Sequence, residues 1–168
     1  FFILLYKGTK MDKKNLTTKE TFALALQHHK KNNLQAAEKL YKQILEIEPD
    51  HVESIFHLGS LSVRTRNFDR AKQLLNKTIQ INSNHAKAYN NLGITFQKLE
   101  KHQKAISCYE KAIQINPNFA DAYCNLAILY MDINKHEEAL QYCDKVLNLS
   151  PETLKAVNIK SQILKRNT

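Results

Sequence analysis

"AYNNLGITFQKLEKHQKAISCYEKAIQINP", residues 88–117, is followed after four residues by "AYCNLAILYMDINKHEEALQYCDKVLNLSP", residues 122–151. Laid over one another at an offset of 34 residues, the two stretches share Asn91 with Asn125, Leu92 with Leu126, Ala105 with Ala139 and Pro117 with Pro151. The frame runs back along the chain through Leu24, Leu58, Leu92 and Leu126, each followed by a small residue: Ala25, Gly59, Gly93, Ala127. Ala37, Ala71, Ala105 and Ala139 recur in step, and Pro49, Ser83, Pro117 and Pro151 close the units. Self-similarity at such a period marks a repeat architecture.

Each unit carries two apolar runs at helical spacing, for example Tyr89, Leu92, Phe96 and then Ala105, Tyr109, Ala112, Ile113. Between them "KLEKHQ", residues 98–103, lacks that periodicity and reads as a turn. Proline then stops the second helix, because it has no N–H and clashes with the preceding turn. The unit is a helix hairpin that cannot bury its apolar face alone, and stacked neighbours can. Three glycines and three prolines in the whole chain are too few for the turns of a β-rich protein. The expectation is all-α.

A length of 168 residues with 43% hydrophobic content supports one ordered domain. The formal charge of +9 comes from lysines scattered singly among asparagines, without the dense basic run that nucleic-acid binding favours. Nucleic acid is therefore not the expected partner. Cys108, Cys124 and Cys143 form no CxxC pair and leave an odd thiol, which fits a reducing, cytoplasmic setting. The opening "FFILLYKGTK", residues 1–10, is too short to span a bilayer and lacks a basic n-region. It reads as upstream of a start at Met11, and its removal is expected to leave the fold unchanged.

The period and the Leu-Gly-x-x-Phe…Ala…Tyr…Ala…Pro run of residues 92–117 resemble the tetratricopeptide repeat (TPR) family. That resemblance implies an α-α superhelical solenoid of four hairpins at 18–51, 52–85, 86–119 and 120–153. A capping helix at 154–168 follows, and residues 1–17 form an amino-terminal tail. "TTKE", residues 17–20, fits a capping box for the first helix. The first unit departs most from the pattern, with Thr21 and His28 at bulky apolar positions, and Ser62 and Ser83 imply looser packing in the second. Gly93 and Gly59 are expected to face Ala105 and Ala71 where the two helices of a hairpin approach most closely. Lys160 falls in the frame of the leucines and suits a solvated end.

In the family, certain positions of the first helices line a concave groove. The sixth-position row here is Ala23, His57, Asn91, Asn125 and Ile159, with Asn90 and Cys124 at the fifth position. This resembles the asparagine ladder of the O-linked N-acetylglucosamine transferase superhelix, whose amides bind peptide backbone. An amide suits that role because it both donates and accepts. The thirteenth-position row is Lys30, Arg64, Lys98, Asp132 and Arg166. If it faces the groove, it favours an acidic or phosphorylated partner; a helix C-terminus also favours cations unaided. The carboxylate clamp of chaperone-binding members does not fit, since of Phe56, Ser60, Asn91, Asp121 and Asn125 only the asparagine matches.

No catalytic, cofactor or metal motif stands out. His28 and His29 are adjacent and point apart on a helix, and His51, His85, His102 and His136 recur with the repeat. The expected function is a non-catalytic protein-interaction scaffold holding an extended peptide or partner helix in the groove. Asn90, Asn91 and Asn125 would contact the peptide, while His57, Arg64, Lys87 and Lys98 set charge preference. The alternative is a substrate-targeting module or fragment of a larger glycosyltransferase or sulfotransferase. Changing Asn91 and Asn125 together to alanine is expected to leave stability nearly unchanged.

Overall fold

The computed structural model describes residues 16–166; the segment 1–10 read as upstream of Met11 lies outside the described residues. Nine α-helices are present among the described residues: α1 Thr18–Lys30, α2 Leu34–Ile47, α3 Val52–Arg64, α4 Phe68–Ile81, α5 Ala86–Lys98, α6 His102–Ile115, α7 Ala120–Asp132, α8 His136–Leu149 and α9 Leu154–Arg166. No helix among them is long and apolar enough to cross a membrane.

Helix entry follows local chemistry. Thr17 accepts from the Glu20 N–H while Glu20 accepts from the Thr17 N–H, the expected capping box. His51 and His85 cap α3 and α5 through Nδ1, which accepts from the backbone N–H of Ser54 and Ala88. Their recurrence is thus a helix-start device. Each hairpin turn holds one residue at positive φ: Asn32, Arg66, Glu100 and Asn134 at φ 57–61°. The N–H of the next residue reaches back five positions, as in Asn33 to His28 and Lys101 to Phe96. This is the Schellman ending of a helix.

The core is distributed along the array. Ala25, Ala37, Tyr41 and Ile44 of the first hairpin pack with Leu58 and Leu61 of α3. Ala105, Ile106 and Tyr109 of the third hairpin pack with Leu126 and Leu129 of α7. Each hairpin thus completes its core with the first helix of the next, the nearest-neighbour logic of a solenoid. Ser62, at an aromatic position of the later repeats, is buried with its hydroxyl donating to the Leu58 carbonyl at 2.8 Å.

Gly93 does not face Ala105 most closely. A Cβ built at Gly93 would lie 2.6 Å from Cε1 of Tyr109, and one at Gly59 would lie 3.0 Å from Leu75. The longer side chain one turn beyond each alanine takes the space that the missing Cβ leaves. The contact is therefore glycine against a large buried residue, and the glycine remains structural.

First helices touch one another along α3, α5, α7 and α9, whereas no comparable contact joins α2, α4, α6 and α8. The odd-numbered helices therefore form the inner layer of a curve and the even-numbered ones fan out on its convex side. At the end of the array, Ala156, Ile159 and Ile163 of α9 are buried, and Lys160 donates to Asp144 at 2.7 Å. The outer face of α9 is not wholly polar, since Leu154, Val157 and Leu164 are exposed.

Candidate peptide-binding groove

The inner layer presents Asn91 and Asn125, both half-buried, from the middle of α5 and α7. Nδ2 of Asn91 donates to Ser60 Oγ on α3 at 2.7 Å. Nδ2 of Asn125 donates to Asn90 Oδ1 at 2.9 Å, and Lys155 reaches Asn125 Oδ1 at 3.4 Å. Each amide is thus fixed by one bond to the preceding first helix. For Asn91 the carbonyl Oδ1 stays open to accept a bond from outside.

Two expected groove residues sit elsewhere. Asn90 is only 6% exposed and serves as the acceptor beneath Asn125, so it is a support and not a contact residue. Cys124, at the same repeat position, is buried beside Val146 and Ala156. The fifth position points between helices, below the groove floor. Ile159 is buried too, so the sixth-position row leaves the groove at α9.

The asparagine pair also corrects an expected stability effect. Asn125→Ala removes the donor from a buried acceptor, which costs about 1–3 kcal/mol when left unpaired. A denaturant melt of Asn125→Ala is expected to show that loss, and Asn91→Ala a smaller one because its Ser60 partner is less buried. An unchanged Asn125→Ala midpoint would mean that the Asn90–Asn125 bond carries no stability.

His57 belongs to an aromatic cluster. Its ring stacks on Tyr41 at 5.3 Å, with Phe22, His29 and Phe56 around it. Burial, then the charges of His29, Lys87 and His85, push its pKa down to about 4. Burial and the Arg64 guanidinium lower His29 as well. His57 is consequently neutral at pH 7 and does not contribute charge preference as expected from sequence. The unfolded chain protonates this imidazole near 6.5 while the folded chain resists until about 4. Stability should therefore fall as pH drops from 6.5 toward 4, and His57→Gln should flatten that slope. Melting temperatures across this window check it.

The remaining charge residues stay open. Arg64, Lys87 and Lys98 are exposed, as is Lys30, and none pairs with a carboxylate among the described residues. Arg64 donates to Asn32 Oδ1 at 2.7 Å, and Asp132 at the far end of the row accepts from Gln97. The Arg166 side chain lies outside the described ones. All three cysteine thiols are free, with pKa raised chiefly by burial, so they are poor nucleophiles. The described residues hold no group of three or more His, Cys, Asp or Glu that could bind a metal.

Sequence periodicity missed the partners that hold the amides. The signal was present as the spacings 31, for Ser60 to Asn91, and 35, for Asn90 to Asn125. Both join a sixth-position residue to the preceding first helix. In the ring cluster around His57, Phe22 and Phe56 share the fifth repeat position, whereas the stacking of Tyr41 on His57 left no such trace.

Paired helices stacked at a fixed period around a polar inner face define a TPR-like helical-repeat protein. The chain belongs to the family of the tetratricopeptide repeat protein 21 C-terminal ARM domain, whose model matches residues 9–168. A search of curated proteins found no match. Among solved structures the chain is similar to MamA, at 24% identity and a TM-score of 0.74 over 86% of this chain and 84% of that one. It is also similar to MamA 41-end from Desulfovibrio magneticus RS-1, at 18% identity and a TM-score of 0.72 over 82% and 78%. The APC/C hetero-tetramer Cut9-Hcn1 aligns at 18% identity and a TM-score of 0.83, covering 89% of this chain and 30% of that one. These likenesses establish the fold.

Proposed function

We propose that the chain is a non-catalytic protein-interaction scaffold that holds an extended peptide along the inner face of its helical array. The observation that carries this reading is the pair of half-buried amides, Asn91 and Asn125, each anchored by one hydrogen bond to the preceding first helix. An anchored amide is preorganised, so its side chain loses little further ordering entropy when a peptide group meets it. Backbone recognition of this kind grips an extended chain without reading its sequence. The asparagine ladder of O-linked N-acetylglucosamine transferase offers the same chemistry. Arg64, Lys87 and Lys98, without carboxylate partners, favour an acidic ligand.

The test uses peptides selected on the intact chain from a randomised display library, with affinities measured by calorimetry. Asn91→Ala should weaken binding about two- to tenfold, the loss of one hydrogen bond. Lys111→Ala, on the convex α6 and exposed, should bind as wild type does. Equal affinity for Asn91→Ala would exclude the groove contact, and a loss confined to Lys111→Ala would place the site on the outer face.

A further inference from the structure

The amino-terminal end of the inner face holds an open recess of about 560 Å³ lined by Leu26, His29, Lys30, Asn32, His57 and Arg64. Two cations, an amide and two imidazoles line it, and no carboxylate does. Arg64 is oriented by its bond to Asn32 Oδ1, which engages one Nη2 and leaves the rest of the guanidinium fork available. Asn32 occupies the positive-φ corner of the α1–α2 turn, held by backbone bonds on either side of it. The guanidinium is therefore held from a fixed point.

The contrast with the convex side is chemical. Lys42 and Arg70 share Glu38, Lys72 meets Asp69, and Lys77 meets Asp50. Lys30 and Arg64 have no such partner among the described residues. Burial disfavours the charged form of His29 and of His57, and a neutral imidazole still offers one N–H donor. An anion entering the recess meets fixed positive charge and donors, with no internal anion to displace.

We propose that this recess is a phosphate pocket that receives the phosphorylated side chain of a bound peptide, with Arg64 and Lys30 on the phosphate oxygens and His29, His57 and Leu26 as walls. A phosphate carries close to two charges and three acceptor oxygens, enough to engage both cations at once. A carboxylate would satisfy the guanidinium fork and leave the ammonium unpaired. The proposal rests on the groove reading for the rest of the peptide. The pocket itself makes no use of Asn91 or Asn125.

The probe is a single capped residue, N-acetyl-phosphoserine methylamide, titrated onto the intact chain in chloride buffer. Binding is followed by NMR at the His29 and His57 rings and the Arg64 side-chain N–H. Saturable shifts are expected at all three, with affinity about tenfold above that of N-acetyl-glutamate methylamide, the margin of one charge-assisted hydrogen bond. Arg64→Ala should weaken the probe about tenfold by the same margin, and Arg64→Lys should recover only part, since it keeps charge and loses the fork. Lys30→Ala, an exposed position, gives a second variant whose folding is not at risk.

Absence of saturable shifts at these groups overturns the pocket. So does equal affinity for the glutamate probe, or wild-type affinity in both Arg64→Ala and Lys30→Ala. Asn91→Ala should leave the probe's affinity unchanged. A failed groove and a failed pocket therefore give different results.

Discussion

Replacing Leu92 with alanine is expected to lower the unfolding free energy by about 2–5 kcal/mol, the largest loss anticipated from a single site. Leu92 is 4% exposed and packs in one cluster with Phe56 of α3 and Ala71 and Leu75 of α4. The truncation therefore empties a cavity at the junction of the second and third hairpins, where each completes the other's core. Because stability in a solenoid is close to a sum of nearest-neighbour terms, losing one junction also threatens cooperativity. A guanidinium melt followed by circular dichroism should show a lower midpoint and, if the junction opens first, a broader transition. An unchanged midpoint would remove Leu92 from the core.

Gly93→Leu is expected to destabilise by about 1–3 kcal/mol, although leucine is the better helix former by close to 1 kcal/mol. The reason is the ring of Tyr109, fully buried and fixed by its hydroxyl, which donates to Gln97 Oε1 at 2.8 Å. A Cβ at position 93 would come within 2.7 Å of two of its ring carbons, so any side chain there must move the tyrosine. The first hairpin shows how far the ring can give, since Ala25 there shares a cluster with Tyr41 in the equivalent place. Gly93→Ala should accordingly cost less than Gly93→Leu. Neutral or stabilised Gly93→Leu would contradict the close contact.

The helical array was legible in the sequence because the 34-residue frame repeats the apolar positions that a hairpin must bury. Leu58, Leu92 and Leu126 are all buried, as that frame requires. Chain direction at the turns was harder to read. Arg66 and Glu100 occupy positive-φ positions where glycine or asparagine would have signalled the corner, and only Asn32 and Asn134 do so. The inner face was legible as a row of residue types but not as a set of depths. Asn90 and Asn91 are neighbours in sequence, yet one is a buried support and the other meets the surface. Adjacent residues on a helix point about 100° apart, so the fifth and sixth positions do not both face the inner surface. His57 illustrates the same gap. Its place in the row suggested a cation, whereas the rings of Phe22, Tyr41 and Phe56 strip it of water and hold it neutral.

The reading of the inner face as a peptide groove is tested most directly by the side-chain amide signals of Asn91 and Asn125. A peptide selected on the intact chain is added stepwise while the two Nδ2–H₂ resonance pairs are followed by ¹⁵N-resolved NMR. Both pairs should shift, with saturation curves that agree with each other and with the calorimetric affinity. Shifts confined to residues of α2, α4, α6 and α8, with both amides unmoved at saturation, would contradict that reading.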